Sequence, residues 1–289
     1  MPEPDDSSQL AEDVRSALDE YASVYREAVR IAADGAPGTE VADLAVACWD
    51  GAVALRLVEA DEVGFTTGAP PVVGELVREL YESLVVLSGI ERVADLLSLP
   101  VATCANGETL APLVRAEGEL AGWIAASTRT PFATSDLPRS LVRPDPNDTS
   151  PLASYSPARQ QLAANADRDL LGEADRPDLN DVFADRLGEA LGVYREAVAR
   201  ARAAESGGNA LDELLAWLTA AARRAAPTLI GFARLADRRE AGLHVPPASA
   251  ARARLLADGF VTLAAAQTSE DLATLPYPDP SGIEAISAT

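Results

Sequence analysis

"SVYREAVR", residues 23–30, returns almost letter for letter as "GVYREAVA", residues 192–199. The echo is either a reactive site used twice or a helical unit copied in tandem, and the residues around it decide for the copy. With Tyr194 set on Tyr25, 169 residues apart, Leu187 meets Leu18, Val193 meets Val24 and Val198 meets Val29. Further along, Pro246-Pro247 meets Pro70-Pro71 at an offset of 176, which also pairs Arg254 with Arg78, Leu256 with Leu80, Val261 with Val85 and Leu263 with Leu87. The second offset runs on through "ADLLSLP" (94–100) against "EDLATLP" (270–276). The offsets differ by seven residues, as a longer second helix or connection before His244 would require. One matched hexamer becomes four helices in the same order, the mark of a repeat architecture.

Apolar periodicity supports the helices themselves. Leu10, Val14, Ala17, Tyr21, Val24, Ala28 and Ile31 fall at alternating spacings of four and three, an apolar seam between a Ser7 or Ser8 cap and Gly35. Residues 41–60 read as a second helix. Residues 70–88 read as a third, with proline in the first turn, where its missing N–H costs nothing. Residues 90–100 and 107–128 read as a fourth and fifth. From about 130 to 177 the chain is rich in Pro, Ser and Asp, as a linker is. Helices resume over 178–208, 210–242 (kinked at Pro227) and 246–265, and a short capped helix at 268–276 ends the series. Alternating β-branched runs are absent. The predicted fold is therefore all-α: two duplicated four-to-five-helix bundles forming a pseudo-two-fold pair. Residues 1–130 make the first bundle and 131–177 the linker; 178–289 repeat the first bundle without its fifth helix.

The chain of 289 residues carries 45 Asp and Glu against 24 basic residues, a net charge of −21. Every basic residue is arginine. Such a surface repels itself in dilute buffer and relies on counter-ions, inorganic cations among them, to stay compact. The composition resembles that of cytoplasmic proteins from extreme halophiles. The acidic, polar N-terminus reads as no secretory signal, and no apolar run is long enough for a membrane span, so the expected location is the cytoplasm. With no basic stripe, nucleic acid is not an expected partner.

The repeated letters are the candidate ligand or partner residues: Tyr25, Arg26 and Glu27, with Tyr194, Arg195 and Glu196. The tyrosines lie on the apolar seam and read as packing. The Arg and Glu point away from it, with Glu27 in reach of Arg30 and Glu196 of Arg200, pairs that stabilise an exposed helix by about 0.2–0.5 kcal/mol. Cys48 reads as a small core residue and Cys104 as a turn residue. His244, the sole histidine, cannot build a His-based metal site, and a chain without lysine has no Walker loop and no Schiff base. "EADE" at 59–62 could hold a cation and "RLADRRE" at 234–240 an anion, though solvated acids and internal ion pairing are the simpler readings. No cofactor or metal is expected. The expected function is a non-enzymatic interaction or scaffold protein with a protein partner. The alternative is an enzyme or small-ligand binder with a site between the halves.

Overall fold

The computed structural model describes residues 10–14, 16, 21, 23–24, 27–28, 30–31, 37–60, 71–92, 179–204, 209–237 and 246–286. Most of these residues are helical and none lies in a strand, as the 3.6-residue periodicity predicts. The chain divides into two compact units, Met1–Ala166 and Asp167–Thr289. The expected linker over 131–177, the fifth helix at 107–128, most of the fourth, Cys104 and His244 lie outside the described residues.

In the first unit, Leu10, Val14, Tyr21, Val24, Ala28 and Ile31 are helical and buried, which is the predicted seam. α1 (Gly38–Ala60) buries Val41, Leu44, Cys48, Ala52 and Leu55, spaced by three and four, and packs on α2 (Pro71–Leu87). Every residue of α2 from Leu80 onward is buried, so the second half of this helix is surrounded on all sides. That stretch includes Glu82, whose carboxylate receives Arg78 at 2.9 Å. Arg78 also reaches Glu59 of α1 at 3.3 Å, and Glu59 holds Arg56 at 2.9 Å. Alternating charges thus tie α1 to α2, and Glu59 of the acidic "EADE" run serves this internal pairing. Removing one member of such a part-buried chain strands its partner's charge.

The second unit holds α3 (Leu179–Arg202), α4 (Asn209–Asp237), α5 (Pro247–Ala264), α6 (Ser269–Thr274) and α7 (Pro280–Ala285). α4 continues as one helix through Pro227 and packs along α5, which is buried throughout from Leu256 to Leu263. α5 starts with the expected Pro pair, Pro246 as N-cap and Pro247 at the first helical position. α6 carries a complete capping box: Thr268 Oγ1 accepts from the Asp271 N–H, and Asp271 accepts from the Thr268 N–H. The series does not end there. Asp279 accepts from the Ser281 N–H and, with Pro280 behind it, starts α7, a turn that the 268–276 reading stops short of. Arg234, which opens the arginine-rich "RLADRRE" run, is buried.

Candidate functional site

α3 packs on α4, on α5 and on the short helices after α5. Where α3 and α4 face each other, alanines stand in place of larger residues, and a groove of about 780 Å³ remains. Its floor is Ala190, Val193, Ala220, Ala221, Ala225 and Leu229. Its rim is charged but mostly paired. Arg186 holds Glu189 at 2.9 Å, and Glu196 holds Arg200. The Arg200 guanidinium lies over the Trp217 ring, 4.3 Å from its centroid, a cation–π contact that fixes both side chains. Arg224, at the rim, is exposed and makes no ion pair among the described residues.

Four of the six residues singled out by the repeat are described, and they go different ways. Tyr194 turns into the core. Its ring meets Phe260 edge-on at 5.2 Å, and its hydroxyl donates to the Pro278 carbonyl at 2.7 Å. Gly259 is what lets the ring come so close: a Cβ there would lie 2.6 Å from Tyr194 Cε2 and nearer still to the hydroxyl. Arg195 leaves in another direction and donates from Nε to Glu284 of α7 at 2.6 Å. Glu196 takes Arg200 and lines the groove. Glu27 takes Arg30 at 2.5 Å, as the spacing predicts, and Arg30 also bridges to Glu40 of α1. Tyr25 and Arg26 lie outside the described residues. The Arg–Glu pairing was legible in the sequence. The groove was not, although "AWLTAAARRAAPT" (216–228) shows its signal: small residues recurring on one helix face beside Trp217.

No family model, no curated protein and no solved structure matches this chain. Among the described residues, no three His, Cys, Asp or Glu side chains gather where they could hold a metal ion. None of the described helices is long and apolar enough to cross a membrane. An open apolar floor with an aromatic–arginine stack at its edge offers contact area and anchoring.

Proposed function

We propose that this chain is a non-enzymatic interaction protein of a salt-adapted cytoplasm, and that the α3/α4 groove receives an apolar helical segment of a partner protein. The alanine floor is the observation that carries the reading. Small residues leave room for a partner's Leu- or Ile-sized side chains, and the flanking pairs keep the rim wet. Trp217 and Arg200, already held against one another, give up little side-chain entropy on binding. Arg224 supplies a positive charge for an acidic residue at the segment's edge. The test is affinity capture in molar salt with the wild-type chain, Ala221→Glu and Val193→Glu as bait. Val46→Glu, on an exposed apolar position of α1, is the control. A stoichiometric partner held by the wild type and the control but lost from both groove variants is the expected result. The same bound set on all four baits refutes the groove as the docking surface.

We also infer that the two units descend from one duplicated module. Burial supports this position by position. Leu44, Cys48, Ala52 and Leu55 of α1 correspond to Leu218, Ala222, Ala226 and Leu229 of α4, all buried. In the next helix Leu80, Leu84, Val85 and Leu87 correspond to Leu256, Phe260, Val261 and Leu263, and the buried acid Glu82 to the buried acid Asp258. A buried carboxylate in mid-helix is costly, so its recurrence at one position argues for descent. The first helix fits better one turn away from the register that the hexamer suggests. At the hexamer's offset, buried Val24 faces exposed Val193 and buried Ile31 faces exposed Arg200. Four residues further on, Leu10, Val14, Tyr21, Val24 and Ala28 meet Phe183, Leu187, Tyr194, Ala197 and Ala201, all buried. On this reading Tyr21 is the counterpart of Tyr194, and "VYREAV" recurs one turn out of register.

A further inference from the structure

The charge of this chain is unevenly spread. α3 carries four acids and four arginines and α4 three of each, so the whole net charge of −21 lies outside these two helices. Two copies of so acidic a chain repel one another, and α3 with α4 offers a face that adds nothing to the repulsion. That face also holds both halves of a fit. Val193 is the one large aliphatic side chain left exposed among the described residues of the second unit, and it stands beside a hollow floored by Ala220, Ala221 and Ala225. The rim bears both signs. Arg224 makes no ion pair among the described residues, and Glu196, one turn on from Val193, gives only one of its oxygens to Arg200. On the duplicated-module reading, the corresponding face of the first unit is of opposite character: Asp13, Asp43 and Asp50 stand in the places of Arg186, Trp217 and Arg224. There the face adds to the acidic surface instead of relieving it.

We propose that the segment received by the α3/α4 groove is α3 of a second copy of this chain, in a two-fold dimer. This names the partner within the docking reading above and rests on it. Val193 of each copy enters the alanine hollow of the other, and Arg224 of each donates to Glu196 of the other. A two-fold contact needs protrusion and hollow, cation and acceptor, on one and the same face, because each copy supplies what the other receives. Salt favours the contact. At molar ionic strength the screening length of about 3 Å removes the repulsion between the acidic remainders of the two copies, while the burial of Val193 keeps its effect.

Sedimentation velocity of the purified full chain in molar KCl, over a series of protein concentrations, tests the assignment. The wild type should sediment as a dimer, and so should Val46→Glu, whose change lies in the first unit. Val193→Glu and Arg224→Glu should each weaken the dimer about tenfold or more. Both positions are exposed, and an unchanged far-UV circular dichroism spectrum shows that the fold is kept. Mixing then separates a direct contact from a general disturbance. Arg224→Glu and Glu196→Arg, each monomeric alone, should dimerise with one another, since the mixed pair restores every Arg–Glu contact with the roles exchanged. Three results overturn the proposal: a wild type monomeric at every concentration, a dimer that Val193→Glu leaves intact, or charge variants that stay monomeric when mixed. The docking reading is judged apart from this. If the wild type is monomeric yet affinity capture retains a different protein through the groove, the second copy is excluded and the groove remains a docking surface.

Discussion

Tyr194 shows how one side chain sets the demands on its neighbours. The hydroxyl is fixed on Pro278 and the ring on Phe260, so nothing larger than glycine fits at 259. Two opposed effects can be weighed there. Gly→Ala inside a helix gains about 0.5–1 kcal/mol from backbone entropy. Forcing a methyl into a filled core costs about 1–3 kcal/mol, sometimes more. At Gly259 the ring has nowhere to go and the overlap dominates, so Gly259→Ala should destabilise the chain by about 1–3 kcal/mol in denaturant unfolding. Gly192→Ala, where an added Cβ meets nothing within 4 Å, should show the opposite sign. Tyr194→Phe should cost about 1 kcal/mol for the lost hydrogen bond. A neutral or stabilising Gly259→Ala would mean that the ring does not sit against α5.

At the scale of elements, α7 is a single turn and could not persist alone. Side chains of α3 hold it: Arg202 donates to Asp279 at 2.6 Å and Arg195 to Glu284, while Ile283 is buried beneath. The Arg202 guanidinium, helped by Ser281, pulls the Asp279 carboxyl from its ordinary 3.8 down to about 2. A carboxyl with a depressed folded-state pKa stabilises the docked form fully above its unfolded value and loses that effect as pH falls through the folded one. Docking of α7 should therefore hold to about pH 4 and loosen between about 4 and 2, read from the Ser281 amide resonance in NMR. Asp279→Asn, which keeps a capping oxygen but not the charge, should erase that transition. A wild-type midpoint at or above 4 would contradict the pairing. The same turn marks a limit of reading sequence by apolar period. α2 and α5 were legible because long apolar runs with proline in the first turn have one good solution. α7 carries only Ile283 as apolar anchor, and its stability comes from partners on α3 that sequence proximity does not reveal. The α3/α4 groove was hidden for the same reason: "AAARRAAP" specifies a small-residue face but not that its neighbour stands away.

For the molecule as a whole, the helical character of the described residues was legible from period and punctuation alone. The register between repeats was not, because identical letters on a helix can slip by a turn and keep an apolar seam, and only burial at Val24 and Ile31 tells the two registers apart. Charge sets the remaining question. The exposed pairs, such as Arg186–Glu189 and Arg200–Glu196, are worth about 0.2–1 kcal/mol each, and salt weakens them. Against them stands the mutual repulsion of a net charge of −21, which acts over the whole surface and opposes the compact state. The screening length shortens from about 10 Å at 0.1 M to about 3 Å at 1 M, which removes long-range repulsion almost entirely while contact pairs keep part of their attraction. Repulsion is therefore the larger loss, and added salt should stabilise. The melting temperature should rise with KCl or NaCl into the molar range, beyond the rise that a neutral osmolyte gives at equal osmolality. The part-buried Arg78–Glu82 pair should change less than the exposed ones, and the gain should appear equally in Glu189→Gln, which breaks only a surface pair. A flat or falling melting curve would show that repulsion is not what limits this fold, and the salt-adapted reading would fall with it.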